Sequence, residues 1–338
     1  MNSQRLWHEN VWTGNCGASA TMRWRCRSRA HDSHLKSLPI RLMPCVAGRT
    51  ESILLGASAV MRRVRDQIAT LAALDWNVRF EGPSGSGKSV AARLLHRLSP
   101  RARGPFVVCS LAMLPDSAEL SELVGHRRGA FTGAVEDRTG KVEDAHTGTL
   151  FLEELGTASP HAQEILLELV DHGTFNRMGE NRVRTVDVRF VSASNERLED
   201  LVAQGRFRPD LYHRLGLLVV HMPPLADHRE DIPGLAAHLL AEQCAKAGLP
   251  APRLTAEAIA CLVAFSWPGN VRQLASALQY LVAFGRLPDV IGRAARAGDW
   301  RKQLDAVLRR HGGKKARAAA ELGVSRETLY AELRRREG

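Results

Sequence analysis

The chain has 338 residues, 44% of them apolar, which is enough for two or three domains with hydrophobic cores. Its apolar runs are too short to span a bilayer, and its N-terminus lacks the apolar core of a secretory signal. Its six cysteines show no CxxC pairing and no regular spacing. We therefore expect a cytoplasmic protein with reduced thiols and no membrane association, rather than a disulfide scaffold or a zinc site.

The net charge of +11 is unevenly distributed. Residues 1–50 carry 8 Lys/Arg against 2 Asp/Glu, residues 299–338 carry 11 against 6, and the charges between them cancel. A neutral body with a basic C-terminal end indicates that this end binds nucleic acid. On charge alone, basic ends that merely aid solubility are an equally good interpretation.

Four segments follow one another along the chain. The first shows no sustained helical or strand period, and we interpret it as a disordered N-terminal extension, too short for a receiver domain. A wrongly assigned start codon and a nucleic-acid-binding arm are the alternatives for this extension. The next two segments predict an α/β unit with a largely parallel sheet and then a helical bundle. The predicted domains are 1–52 (extension), 53–228 (α/β subdomain), 229–297 (helical lid) and 298–338 (helical, polar and basic).

A glycine-rich loop follows the predicted strand 78–80 and precedes the predicted helix 90–98. In the pattern GxxxxGK[ST], backbone N–H groups wrap phosphates, Lys88 reaches the β/γ oxygens and the Ser89 hydroxyl binds magnesium. The strand–loop–helix context is the one that this motif requires, so we predict binding of ATP with Mg²⁺. The loop consists of Gly82, Pro83, Ser84, Gly85, Ser86, Gly87, Lys88 and Ser89.

Two acids, Glu153 and Glu154, follow the predicted strand 148–152, at the edge where a parallel sheet normally binds its ligand. We expect Glu153 to hold Mg²⁺ together with Ser89, and Glu154 to polarise the attacking water. Asn195 follows another predicted strand, 186–192, and is placed to orient the same water. Taken alone, an Asn at a strand end is more often a turn residue.

A hexapeptide between the two halves of this predicted site carries one large apolar residue between glycines. Its residues are Gly129, Ala130, Phe131, Thr132, Gly133 and Ala134. A glycine-bracketed loop connected to an ATPase indicates a part that hydrolysis moves against a partner protein. By composition alone, Phe131 would more often be a core residue.

With these motifs in this order, the chain resembles the bacterial enhancer-binding activators of sigma-54 RNA polymerase, within the AAA+ ATPases. The resemblance runs from about Ile53 to Phe284 and again through the C-terminal helices. Its most specific motif is GAFTGA at 129–134. Further matches are SELVGH at 121–126, GRFRPDLYHRL at 205–215, PPL at 223–225 and WPGNVR at 267–272.

The resemblance implies a hexameric ring, assembled directly or from dimers, with ATP bound between neighbouring subunits. Arg208 and Arg214 match trans-acting arginines that reach the γ-phosphate of the adjacent subunit, although alone they would read as surface ion-pair residues. Arg272 matches a sensor on the helical lid. Phe131 and Thr132 match the loop that grips sigma-54. The implied partner is the sigma-54 RNA polymerase holoenzyme, which hydrolysis remodels from the closed to the open promoter complex.

Three positions depart from the family pattern. Glu153 stands where the family usually has Asp, and its extra methylene moves the carboxylate outward by about 1.5 Å. Ser110 stands where the family usually has an Asn that links the catalytic acid to the loops, and Ser89 stands where it usually has Glu. The departures at Glu153 and Ser110 motivate a second hypothesis, a DNA-binding regulator with weak or absent ATPase activity that acts by occupancy. A third, a related AAA+ machine with a different client, is disfavoured by the complete GAFTGA motif.

The C-terminal segment predicts three helices, at 299–311, 314–322 and 325–336, which form a helix-turn-helix. It resembles the factor-for-inversion type of DNA-binding domain, which implies double-stranded enhancer DNA as a partner. A helical hairpin used only for oligomerisation is the alternative. The predicted DNA-binding residues, all on the last helix, are Arg326, Thr328, Tyr330 and Arg334.

Overall fold

The structure is a computed structural model. It describes residues 54–111, 116–215, 218–292, 304–305, 307–321, 329–330 and 333. The predicted extension 1–52 lies outside the described residues, as do Arg326, Thr328 and Arg334. No helix in these ranges is long and apolar enough to cross a bilayer.

Helices and short strands alternate through the first part of the described chain. The strands are β1 (Val78–Glu81), β2 (Phe106–Ser110), β3 (Gly125–His126), β4 (Arg138–Thr139), β5 (Thr149–Glu153), β6 (Thr174–Phe175), β7 (Arg184–Thr185), β8 (Arg189–Ser194) and β9 (Val219–His221). The helices are α1 (Ala59–Ala72), α2 (Lys88–Arg97), α3 (Asp116–Val124), α4 (Lys141–Asp144), α5 (Pro160–His172), α6 (Leu198–Ala203), α7 (Pro209–Arg214), α8 (Ile232–Ala247), α9 (Ala256–Ala264), α10 (Asn270–Phe284) and α11 (Lys315–Glu321).

Five strands form one parallel sheet in the order β2-β5-β8-β1-β9. Every residue of β1 and β8 is buried, as expected for central strands with helices on both faces. One face packs on α1 and α2, and the other contributes to the core that contains α5 and α6. The predicted α/β fold with a largely parallel sheet is confirmed.

The four predicted strands are present, displaced by one to three residues at their ends. Strand β9 was not predicted, because its three residues are too few for a recognisable period. The two-residue strands β3, β4, β6 and β7 form two antiparallel hairpins outside the main sheet. They too are invisible to pattern analysis.

Helices α8, α9 and α10 form the predicted helical lid, and the described residues 229–292 contain no strand. They pack around a core that contains Leu240, Leu262, Trp267 and Leu278, all buried. The Trp267 indole Nε1 donates to the Leu262 carbonyl at 2.7 Å, so this large side chain leaves no unsatisfied donor in the core.

The described C-terminal residues close a separate small core. Its buried members are Leu304, Val307, Ala318, Ala319 and Leu329. Ala318, Ala319 and Leu329 are among the residues whose spacing predicts a helix-turn-helix core, and α11 lies within the predicted helix 314–322.

Candidate active site

The glycine-rich loop connects the end of β1 to the start of α2. Gly82 has a φ of 150°, and a Cβ at this position would lie 2.4 Å from the carbonyl oxygen of Met222. Only glycine therefore allows the loop to turn against the chain that follows β9. The turn carries the N-terminus of α2, with its free N–H groups and positive dipole end, to the edge of the sheet.

Lys88 lies across this loop. Its Nζ donates to the carbonyl oxygens of Gly82 at 2.6 Å and Pro83 at 3.0 Å, and to Asn195 Oδ1 at 2.7 Å. Burial, followed by the nearby cation of Arg272, lowers the pKa of Lys88 to about 8, against the acids that follow β5. The three acceptors hold the ammonium group over the loop, where a phosphate chain would replace some of these contacts.

Glu153 and Glu154 stand at the carboxyl end of β5, next to the loop. The Ser89 hydroxyl donates to Glu153 Oε1 at 2.5 Å. Glu154 adopts a left-handed conformation with φ 57° and ψ 41°, which is uncommon outside glycine and clusters at functional sites. The two predicted acids and Asn195, which follows β8, thus meet Lys88 and Ser89 at one edge of the sheet.

The donor set fits Mg²⁺ bound together with a nucleotide. A hydroxyl and a carboxylate are hard oxygen donors, and magnesium is usually held by one or two carboxylates plus substrate phosphates. Within the described ranges, no group of three or more His, Cys, Asp or Glu side chains forms a metal site by itself. Ser89 and Glu153 would therefore share the ion with the phosphates.

The N-terminus of α10 contacts the glycine-rich loop directly. Arg272 Nη1 donates to Ser84 Oγ at 2.7 Å, Asn270 Nδ2 donates to the Ser84 carbonyl at 2.9 Å, and Val271 N donates to the Gly85 carbonyl at 3.0 Å. A Cβ on Gly85 would lie 2.4 Å from the Gly269 carbonyl oxygen. The lid and the loop thus enclose a cleft of about 280 Å³, lined by Lys88, Ser89, Glu153, Glu154, Asn195 and Arg272 among others.

Asn270 is a site residue that the sequence analysis did not single out. It is buried, and its Oδ1 accepts from Leu225 N at 2.8 Å while its amide reaches the glycine-rich loop. One side chain therefore fastens the loop to the start of the lid. Its position within the WPGNVR motif was the available signal.

Arg208 and Arg214 do not line the cleft of their own chain. They flank α7, where Arg208 pairs with Asp210 at 2.8 Å and with Glu164 at 3.4 Å, and Arg214 pairs with Asp171 at 3.1 Å. Their side chains are 41% and 63% exposed. Both arginines are thus accessible at the surface, away from Lys88 and Glu154.

The GAFTGA loop connects β3 to β4. A hydrogen bond of 2.8 Å from Gly129 N to the Ala134 carbonyl closes its base. Phe131 is half-buried and lies edge-on to the ring of His126, with the centroids 5.0 Å apart, while Thr132 is exposed. The Ser121 hydroxyl lies 2.6 Å from His126 Nδ1, so the imidazole that contacts Phe131 is itself fixed. Phe131 is therefore a partly covered loop residue rather than a core residue.

Tyr330 is the described member of the predicted DNA-binding set. Its side chain is exposed, and Lys315 Nζ lies 5.1 Å from the centroid of its ring. A lysine and an aromatic ring thus share one exposed face of the C-terminal core.

Three family models match successive parts of the chain. The sigma-54 interaction domain matches residues 54–221, the AAA+ ATPase lid domain matches 226–293, and the bacterial regulatory protein Fis family matches 301–335. The motifs described above fall inside the first two ranges, and the small C-terminal core falls inside the third.

Full-length relatives show the same order of parts. The chain is 38% identical over 313 residues to the C4-dicarboxylate transport transcriptional regulatory protein DctD of Pseudomonas aeruginosa, a match that covers 89% of this chain and 68% of DctD. It is 38% identical over 303 residues to the transcriptional regulatory protein ZraR of Klebsiella oxytoca, covering 83% of this chain and 68% of ZraR. The crystal structure of NtrX from Brucella abortus in complex with ADP has a TM-score of 0.67 and 32% identity, covering 83% of this chain and 69% of NtrX.

Proposed function

The chain belongs to the sigma-54-dependent transcriptional activators of the AAA+ ATPases, and we propose that it hydrolyses ATP between neighbouring subunits of a ring. Membership of this family makes it an ATP-dependent activator of sigma-54 transcription that binds DNA. Hydrolysis, the ring, magnesium and the residue roles below are the proposal.

One observation carries the proposal. Lys88, Ser89, Glu153, Glu154 and Asn195, which are far apart in the sequence, line one cleft beneath the lid. In this arrangement Lys88 holds the phosphate chain, Ser89 and Glu153 hold Mg²⁺, and Glu154 takes the proton from the attacking water that Asn195 orients. When bound, the metal ion would neutralise charge that develops on the phosphate oxygens.

The nucleotide would be held by the loop and by the lid. Arg272 lies over Ser84, so a triphosphate in the cleft would meet a second cation from above. The crystal structures of NtrX in complex with ADP and with ATP support binding of both nucleotides by a chain of this fold. Because α10 contacts the loop directly, a change in the bound nucleotide would shift the lid.

The surface position of Arg208 and Arg214 supports a site completed by a second subunit. Neither side chain reaches the cleft of its own chain, and both lie at the ends of the exposed helix α7. A cation from the neighbouring subunit would stabilise charge on the transferring phosphoryl group, an effect of about 10³–10⁵ in rate in other systems. A hexamer would repeat this contact around the ring.

The GAFTGA loop and the C-terminal helices supply the two macromolecular contacts. We assign Phe131 and Thr132 to the contact with the sigma-54 RNA polymerase holoenzyme. We assign Arg326, Thr328, Tyr330 and Arg334 to double-stranded enhancer DNA. Regulation by occupancy alone is not favoured, because the residues that would bind and hydrolyse ATP come together in one cleft.

Turnover measured against protein concentration tests the proposal. Mg²⁺-dependent ATP hydrolysis per subunit should rise with concentration as subunits assemble. Arg208→Ala should lower turnover by about 10³-fold or more and leave ATP binding intact, because the lost cation acts on a neighbour. Arg253→Ala, which removes another exposed arginine, is the matched control and should behave as the parent. Folded, concentrated protein without turnover would instead support the occupancy hypothesis.

A further inference from the structure

A fully buried arginine lies in the middle of β1, the strand that leads into the glycine-rich loop. The exposed fraction of Arg79 is 0%, and its neighbours Val78 and Phe80 pack into the core formed with α1 and α2. Because side chains alternate along a strand, Arg79 and Glu81 point to the other face of the sheet. Central parallel strands are normally apolar on both faces, so a charged pair in this position calls for a physical reason.

Four residues form a cluster on that face, which we call the Arg79 cluster: Arg79, Glu81, Glu199 and Tyr212. Arg79 Nη2 donates to Glu199 Oε1 at 2.8 Å, and Arg79 Nε lies 2.8 Å from Glu81 Oε1. The guanidinium carbon lies 5.1 Å from the centroid of the Tyr212 ring, and the Tyr212 hydroxyl donates to the same Glu199 Oε1 at 2.8 Å. A single carboxylate oxygen on α6 thus joins β1 to α7.

The two ends of this connection are the two halves of the proposed site. Strand β1 ends at Glu81, immediately before Gly82 of the glycine-rich loop. Helix α7 begins directly after Arg208 and ends at Arg214. Any movement of the strand that carries the loop would therefore reach the helix that presents both arginines.

The cluster is poorly arranged for stability alone. Arg79 Nη1 and Glu199 Oε2 are buried without a hydrogen-bond partner. Buried ion pairs are often no more stabilising than apolar residues of similar size, because desolvation offsets their attraction. In a low-dielectric interior, however, such contacts are strongly directional, which suits a role in fixing the position of a helix.

We propose that the Arg79 cluster positions α7 so that Arg208 and Arg214 reach the nucleotide of the neighbouring subunit. This inference rests on the proposed function, in which those arginines act in trans. Arg79, Glu199 and Tyr212 are positioning residues in this account, since none of them lines the cleft.

Glu199→Gln is the main test, because it keeps the size of the side chain and removes the charge shared by Arg79 and Tyr212. The kcat for ATP should fall roughly 10- to 100-fold, since a misplacement of about 1 Å is enough for such a loss. Affinity for a fluorescent ATP analogue should stay within about twofold, because the subunit's own cleft is intact. Asp200→Asn makes the same chemical change at an exposed residue of the same helix and should leave kcat unchanged. Tyr212→Phe, which removes only the hydroxyl, should give a smaller loss of kcat in folded protein.

Mixed rings separate a positioning role from a general loss of structure. Lys88→Ala subunits lack a working nucleotide site but carry intact arginines, whereas Arg208→Ala subunits have the site and lack an arginine. Glu199→Gln subunits should regain turnover when mixed with Lys88→Ala subunits, which supply well-placed arginines. Mixed with Arg208→Ala subunits, they should stay slow.

The opposite pattern, rescue by Arg208→Ala and none by Lys88→Ala, would overturn the inference, because the defect would then lie in the subunit's own cleft. Equal kcat for Glu199→Gln and the parent would overturn it as well. A mixture of Lys88→Ala with Arg208→Ala reports on the proposed function itself. If that mixture stays inactive, trans-acting arginines are ruled out, and the positioning role falls with them.

Discussion

The acid that would hold magnesium is one methylene longer than in the family pattern. In the structure, Glu153 Oε1 already touches the Ser89 hydroxyl at 2.5 Å. Two neighbouring ligands of an octahedral Mg²⁺, each at 2.0–2.1 Å, lie about 3 Å apart. These two oxygens must therefore separate slightly to admit the ion, which links the identity of residue 153 to the rate of hydrolysis.

Glu153→Asp should therefore raise ATP turnover or leave it unchanged. The shorter side chain withdraws its carboxylate from Ser89 by about 1.5 Å and leaves room for the ion between them. Steady-state hydrolysis over a Mg²⁺ titration measures the effect. A large fall in turnover would show that the longer side chain is the better magnesium ligand in this cleft.

Glu154→Gln should lower turnover by about 10²–10⁴-fold, because the amide cannot accept a proton from the attacking water. ATP binding should persist, since the glycine-rich loop and Arg272 are unchanged. Glu230→Gln, at an exposed residue outside the cleft, is the matched control for both turnover and binding. Turnover equal to the parent's would remove Glu154 from the chemistry.

At the scale of elements, a buried carboxylate fastens α1 to the segment that leads into the lid. Asp231 Oδ1 accepts from Ala57 N at 2.7 Å and Ser58 N at 2.8 Å, and its Oδ2 lies 3.0 Å from His228 Nδ1. Burial acts to raise the pKa of Asp231, but the hydrogen bonds from Ser58, Ala57 and His228 outweigh it and hold the pKa below its ordinary value. The ionised carboxylate is therefore the stabilising form.

Asp231→Asn should lower the free energy of unfolding by about 1–3 kcal/mol at pH 7. A carboxyl group with a lowered folded-state pKa contributes stability above its unfolded value and loses it as the pH falls through the folded value. The difference between parent and variant should therefore shrink as the pH falls below about 4. Urea unfolding at several pH values measures it, with the exposed Asp227→Asn as control. A difference that stays constant down to pH 3 would contradict this role.

The elements predictable from sequence are those with a local signature. The glycine loop between a strand and a helix, the acids after β5 and Asn195 after β8 each follow a strand of four to six residues, long enough to recognise. The hairpins that carry the GAFTGA loop and Arg184 have strands of two residues. Contacts such as Phe131 with His126, or Arg79 with Glu199, depend on how distant elements pack, so no local pattern announces them.

At the scale of the whole molecule, the hydrolysis site must act on the GAFTGA loop. The structure offers a continuous route. Ser110 at the end of β2 is the register partner of Glu153 in β5. Beyond β2 the chain continues into α3, which runs directly into β3 and the loop. A shift of the strand end beside the magnesium ligand would therefore be passed to the base of the loop.

The central claim is that hydrolysis in the cleft drives Phe131 against sigma-54 RNA polymerase. ATP hydrolysis and open-complex formation at a sigma-54 promoter, measured on the same preparation of Phe131→Ala, test it most directly. Trp76→Ala, which removes another exposed aromatic side chain, is the control and should retain both activities. The account predicts that Phe131→Ala hydrolyses ATP at close to the parental rate and forms no open complexes. Equal loss of both activities, or normal open-complex formation, would contradict it.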